Sequence, residues 1–242
     1  MLDADVEQNL SAVRRRLEAA AHRAHRSPAD IRLIAVSKTF DASAVRAAAA
    51  AGQRDFGENK VQEALDKANA ARDLAVDWHL IGHLQSNKAR KAAETFAWIH
   101  SIDSADLLRK VDRAAAAAGT RPRVLLQVDL AHEATKSGAG EEELLDLART
   151  ALEAVAVQLS GLMIIPPIAD TPEAVRPWFH RLRDVRDALV AQGIPVDRLR
   201  ELSMGMSHDF EVAIEEGATM IRVGTAIFGR RGVPATAHAD GG

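Results

Sequence analysis

The sequence predicts a single (β/α)8 TIM barrel of the α/β class with an extra N-terminal helix, and three observations carry that expectation. Eight strand-like segments alternate with helical ones, and regular βα alternation implies a parallel sheet with helices outside it. The length of 242 residues suits one such barrel. The first βα turn, "VSKTFDAS", holds no glycine. That disfavours an open doubly wound sheet, which needs a Gly-rich first turn to hold a dinucleotide.

Residues 3–26 read as a helix, with Val6, Leu10, Val13 and Leu17 at three- and four-residue steps between charges. The first strand, 31–36 in "IRLIAVSKTF", has five apolar residues out of six, the pattern of a buried strand. Further strands are expected at 53–56, 77–81, 98–101, 123–128, 158–163, 199–203 and 220–223. Helical patterns, alanine-rich or charged, fall between them at 41–51, 59–74, 86–95, 104–118, 141–155, 171–192 and 207–216. Asp41, Ser104 and Thr171 suit helix N-caps, the last followed by Pro172 at the first helical position. Residues 1–229 are thus expected to form one domain, and 230–242, "RRGVPATAHADGG", a flexible tail.

The composition narrows the function classes. A charged fraction of 27% and a net charge of -3 argue against an extended nucleic-acid-binding surface. Cysteine is absent, which removes disulfides, thiolate metal sites and a cysteine nucleophile. The charged, periodic N-terminus is not a secretory signal, and no run approaches the ~20 apolar residues that span a bilayer. A cytoplasmic protein, monomeric by default, is expected.

Barrel active sites lie where strands end and loops lead into helices. That rule selects Ser37 and Lys38 after the first strand, Glu58 and Asn59 after the second, and His83 and Gln85 after the third. The last two strands lead into "SMGMSHDF" and "RVGTAIFG". Hydroxyls at Ser203 and Ser207, with Gly224 and Thr225, resemble an anion cradle, and Ser207 also suits the N-cap of the following helix. Taken singly these are ordinary loop residues; together, at the place where barrels hold phosphate, they point to one. Lys38, carried inward and partly desolvated, becomes a candidate Schiff-base nucleophile. A phosphate-bearing aldehyde then fits the mouth: pyridoxal phosphate, or a phosphosugar in an aldolase. Arg222, in an apolar strand, is expected either to pair with a carboxylate such as Glu58 or Asp129 or to donate to a cofactor. His79 and His83 lie four apart, but on a strand and turn without an acidic companion, so a metal site is not expected.

At these residues the sequence resembles the pyridoxal-phosphate homeostasis proteins of the YggS/PROSC type. The matching blocks include "LIAVSKTF", "FGENKVQEALDK", "WHLIGHLQSNKAR", "LLQVDLAHEATKSG" and "LSMGMSHDFEVAIEEGATMIRVGTAIFG", and together they span residues 31–229. Leu80 and Ala92 depart from the family pattern only as packing variants. The resemblance implies a barrel similar to the N-terminal domain of alanine racemase, with pyridoxal 5'-phosphate (PLP) as cofactor. It implies Lys38 as the Schiff-base lysine, Asn59 and His83 beside the cofactor, and Arg222 facing the pyridine nitrogen. Ser203, Ser207, Gly224 and Thr225 would form the phosphate cradle, and Met204 would also contact the cofactor. The implied role is intracellular PLP homeostasis, with apo PLP-dependent enzymes as possible recipients.

Related racemases use a tyrosine from a second domain as their other acid/base. This chain has no tyrosine and little sequence after the eighth strand. A fixed cation at the ring nitrogen would also weaken the cofactor as an electron sink. A carrier is therefore expected over a catalyst, with a racemase-like enzyme using His83 or His132, or a Schiff-base aldolase, as the alternatives.

Overall fold

The computed structural model describes residues 2–131 and 137–229. Eight parallel strands close into a barrel in sequence order: β1 (Arg32–Val36), β2 (Asp55–Glu58), β3 (Asp77–Leu80), β4 (Trp98–Ile102), β5 (Arg123–Val128), β6 (Gln158–Ile164), β7 (Glu201–Met206) and β8 (Met220–Val223). β8 returns to β1, with Leu33 opposite Ile221 and Ala35 opposite Val223. The helices around it are α1 (Leu2–Arg23), α2 (Ala42–Ala50), α3 (Val61–Ala70), α4 (Ala89–Thr95), α5 (Ala105–Ala118), α6 (Leu144–Leu152), α7 (Arg176–Ala191), α8 (Phe210–Glu215) and α9 (Thr225–Phe228). This is the predicted (β/α)8 architecture. The expected tail, 230–242, and His132 lie outside the described residues.

Local chemistry sets several helix starts. Asp41 accepts from the N–H groups of Ser43 and Ala44, and Ser104 from that of Leu107, so both caps form as expected. Thr171 makes no side-chain cap; it precedes a single 3-10 turn that starts at Pro172 and leads into α7. Ser207 is not the cap of α8 either: Asp209 occupies that position. Two strands sit further along the chain than their apolar runs suggest. β2 begins at Asp55, while the Gln53 side chain donates to the carbonyls of Leu33 and Asp55 instead of joining the strand. β7 runs on to Met206, three residues past the expected end.

Two apolar regions follow from strand alternation. The outer one lies between strands and helices and takes in α1 through the buried Val6, Leu10, Val13 and Leu17. The inner one is small: Ile34, Trp98, Leu125, Met163 and Met220. Much of the remaining interior is polar, with His79, His100, Ser203 and Arg222 all buried. α1 is fastened at its rim as well as packed, since the Asn9 amide donates to the Ile227 carbonyl at 3.0 Å and Arg16 holds Glu211 through two nitrogens. Leu10→Ala, which empties a fully buried position on that helix, should cost about 3 kcal/mol in a urea unfolding titration.

Candidate functional site

At the C-terminal ends of the strands the barrel opens into a cavity of about 500 Å³. Lys38, Asn59 and His83 line one part of it, and Ser207, Arg222, Gly224 and Thr225 another. The structure thus gathers most of the residues selected from the sequence, contributed by the ends of β1, β2, β3, β7 and β8. Ser37, Glu58 and Gln85, also picked out at strand ends, do not line it, and of the residues assigned to the cofactor two more do not. Met204 is fully buried in the outer core, and Ser203 is fully buried inside the barrel. The extension of β7 to Met206 explains both: Ser203, expected at the strand's end, and Met204, expected just past it, lie within the strand, and Met206, Ser207 and His208 reach the mouth instead. A larger depression, about 650 Å³, lies at the opposite end of the barrel and is lined by Arg32, Asp55 and Arg200 among others. It holds none of the candidate residues.

The cradle is built differently from its expected form. Ser207 Oγ accepts from the backbone N–H of Gly224 at 3.1 Å and of Ala226 at 3.4 Å. Two backbone donors at the start of α9 therefore converge on a single oxygen position at the pocket wall. Gly224 lies close to the first strand here: a Cβ there would stand 3.2 Å from the Val36 carbonyl oxygen. Close backbone approach also fixes the opposite wall, where a Cβ on Gly82 would lie 2.4 Å from the Asn59 carbonyl. His83 is about half exposed, and its Nδ1 lies 2.9 Å from the Ser137 hydroxyl and 3.6 Å from Asp103. His79 is remote from it, inside the barrel.

Lys38 corrects an expectation. It is exposed, in the turn after β1, and not drawn into the core. The buried ammonium here belongs to Lys67 on α3. Its Nζ donates to the Ser37 carbonyl at 2.7 Å, to Glu58 at 2.7 Å and to Glu63 at 2.9 Å. Glu58 Oε1 also accepts from the Ser37 hydroxyl at 2.6 Å, while its Oε2 has no partner among the described residues. Burial pushes the Glu58 carboxyl up, against the lowering effect of Lys67 and Ser37. Glu63 in turn accepts from the Thr39 N–H, and Thr39 has a left-handed φ of 70°, a costly conformation for a β-branched residue. The peptide units on both sides of Lys38 are therefore held by one buried ion-pair cluster. Sequence reasoning missed Lys67 because its partner, Glu58, looks like a loop residue after Gly57.

Arg222 is also corrected. Neither Glu58 nor Asp129 takes its charge: its guanidinium donates to Ser203 Oγ at 2.6 Å and to the Ile164 carbonyl at 2.8 Å, while Glu58 is held by Lys67. Burial pulls its pKa down to about 10, opposed by the charge of Asp209, so it stays cationic at neutral pH.

The Glu58–Lys67 pair yields a stability prediction. Lys67→Met leaves Glu58 buried with the Ser37 hydroxyl alone and should cost about 3 kcal/mol at pH 7. Loss of the ammonium raises the folded-state Glu58 pKa further above its unfolded value. The deficit should therefore grow as pH rises through that raised value and shrink on acidification. Urea titrations of both proteins at pH 5 and pH 7 read it, and an equal loss at both pH values would exclude the assignment.

The family model described as "Alanine racemase, N-terminal domain" matches residues 8–232. The pyridoxal phosphate homeostasis protein of Pseudomonas aeruginosa is 44% identical, covering 96% of this chain and 99% of that protein. PipY of Synechococcus elongatus, solved with PLP bound, superposes with a TM-score of 0.82 at 43% identity, covering 93% of this chain and all of its own. The alanine racemase of Streptomyces coelicolor shares the fold alone. Its TM-score is 0.72 at 22% identity, and 95% of this chain covers 59% of that one. The chain accordingly belongs to the alanine racemase N-terminal domain family and, within it, to the pyridoxal phosphate homeostasis proteins.

Proposed function

We propose that this chain binds PLP as a Schiff base on Lys38 and acts in intracellular PLP homeostasis as a cofactor carrier or buffer, supporting amino- and keto-acid balance without efficient catalysis of its own. The observation that carries the reading is a lysine sharing one cavity with Ser207, Gly224 and Thr225, where the backbone N–H groups of Gly224 and Ala226 converge on the Ser207 hydroxyl. A small molecule bearing both an aldehyde and a phosphate answers both features, and the PLP-bound relative at 43% identity supports that choice. When bound, the cofactor supplies an electrophilic aldehyde on an electron-poor ring. The chain supplies the rest. The Lys38 amine is the nucleophile, exposed to entering ligand and fixed in direction by the Lys67 cluster behind it. Gly224, Ala226, Ser207 and Thr225 hold the phosphate. Asn59 and His83, which line the same cavity, would lie beside the cofactor, and Arg222, which only donates hydrogen bonds, would face its ring nitrogen.

The same residues argue against efficient turnover. A cation at the ring nitrogen would disfavour its protonation and lower the cofactor's capacity to take up electron density. The chain has no tyrosine to serve as a second acid/base, and the His83 imidazole is engaged with Ser137. The relatives are named homeostasis proteins, not enzymes. Among the described residues no helix is long and apolar enough to cross a membrane. We place the chain in the cytoplasm as a monomer that exchanges PLP with apo enzymes.

Titration of the apoprotein with PLP should produce a visible absorbance band, and borohydride reduction should fix the cofactor on the peptide that contains Lys38. Lys38→Ala should abolish both, and a wild-type protein that stays colourless would end the reading. Ser207→Ala combined with Thr225→Ala should speed release at least about tenfold, since two hydrogen bonds to a dianion are lost. Alanine in heavy water should exchange its α-proton no faster with the loaded protein than with free PLP; faster exchange would favour the racemase-like alternative.

A further inference from the structure

The polar interior of the barrel is one continuous hydrogen-bonded chain. Arg32 Nη1 donates to Asp55 Oδ1 at 2.6 Å. The same oxygen lies 3.0 Å from His79 Nε2, and His79 Nδ1 lies 3.0 Å from His100 Nε2. His100 Nδ1 lies 2.9 Å from Ser203 Oγ, which accepts from Arg222 Nη1 at 2.6 Å. One end, Arg32 and Asp55, lines the depression beneath the barrel; the other, Arg222, lines the cavity at its mouth. Six strands contribute: β1, β2, β3, β4, β7 and β8.

Donor and acceptor rules fix its direction. Both histidines are fully buried, and burial lowers the pKa of each, that of His100 strongly, so both are neutral at pH 7. A neutral imidazole has one N–H and one lone pair. The Asp55 carboxylate only accepts, so His79 carries its proton on Nε2 and accepts at Nδ1. His100 then must donate from Nε2 and accept at Nδ1, which leaves the Ser203 hydroxyl donating to His100 with its oxygen open to Arg222. Each link is satisfied in only this one sense. Trp98 stacks on His79 at 5.7 Å and 5° between planes, which holds that ring in the required orientation.

We propose that Asp55, His79, His100 and Ser203 are positioning residues that act through Arg222, setting from the far end of the barrel how its guanidinium is presented to the cofactor pocket. The carboxylate at the bottom orients the chain, and Ser203 delivers that orientation as an acceptor aimed at Nη1. Together with the Ile164 carbonyl on Nη2, it locks the guanidinium plane. This inference rests on the reading of the mouth as a PLP site for its effect on the cofactor, but the hydrogen-bond polarity stands on the apoprotein alone.

The test has two readouts. In 15N-edited NMR of the apoprotein, His79 and His100 should both appear as neutral Nε2–H tautomers. Asp55→Asn replaces a pure acceptor by an amide that can also donate, so Nδ1–H forms of both rings should become populated, including His100, which does not touch Asp55. In PLP titrations the same variant should shift the visible band and speed release about fivefold, as expected for disturbing a coupled buried network. Ser203→Ala cuts the chain at its other end and removes only one atom. It should leave His79 as Nε2–H, yet speed release to a similar degree, and it serves where Asp55→Asn fails to fold. Nδ1–H tautomers in the wild type, or variants that lose thermal stability with unchanged band position and release rate, would overturn the proposal. A wild type that shows the expected tautomers but takes up no PLP would refute the cofactor reading and the effect assigned to Arg222, leaving only the polarity of the chain.

Discussion

The pairing of β8 with β1 is the constraint on which the site depends. Closure sets Arg222 opposite Ile34 and Val223 opposite Ala35, so the end of the last strand meets the end of the first. Lys38, just after the first strand, comes to share a cavity with Gly224 and Thr225, just after the last. The two ends approach closely, since a Cβ on Gly224 would stand 3.2 Å from the Val36 carbonyl oxygen. Side chains separated by nearly the whole sequence thus acquire one mouth, and α1 protects that seam by packing on α2, α8 and α9 from outside. An open sheet from the same strands would leave the amine and the N–H cradle on opposite edges.

A closed barrel of eight strands is usually filled by layers of branched apolar side chains. Here the filling is divided. The five apolar residues of the inner cluster surround a polar string in which every ring nitrogen is paired. Such a string is tolerable only because it is complete; one unpaired member in a low-dielectric interior would cost more than an apolar replacement. An Arg32–Asp55 ion pair closes it at one end and the Arg222 guanidinium at the other. Burial alone would push the Asp55 carboxyl up, but bonds from His79 and Arg32 outweigh it and leave its pKa below the ordinary value. Asp55 therefore stabilises the fold above its unfolded-state pKa, and that contribution fades as pH falls through its depressed folded value.

Much of the fold was legible because strand runs and helix periods are local. The strands at 123–128 and 220–223 coincide with β5 and β8, each an apolar run with clear ends. The errors share one cause, which is long-range pairing. Glu58 belongs to a strand only because Lys67, nine residues on, neutralises it in the core, so β2 was read two residues early. β7 extends past Ser203 because Met206 still pairs with Arg222 across the sheet, and this lowers Ser203 from the mouth into the barrel. Lys38 was legible as a rim residue but not as an exposed one, since an apolar strand says nothing of the turn that follows it. His100 had one usable signal, a histidine in "WIHSI" where every residue is buried.

Lys38 itself has little to hold it, being exposed at the end of a strand; its direction comes from its neighbours. Lys67 anchors the Ser37 carbonyl before it and Glu63 anchors the Thr39 N–H after it, so the backbone is rigid while the amine remains open to solvent. That division suits reversible capture. A fixed backbone lowers the entropy lost when the side chain engages a ligand, and an open amine lets water reach the bond that would hold it. A catalyst would gain from the reverse arrangement, with the amine enclosed and water excluded. Arg222 works in the same direction from the floor of the cavity. It is locked by Ser203 and Ile164 and has no proton to give at neutral pH, so it can orient a ring but cannot serve as the acid that a carbanion reaction needs. Rigid placement with free solvent access fits the proposed role of a site that holds a cofactor and releases it.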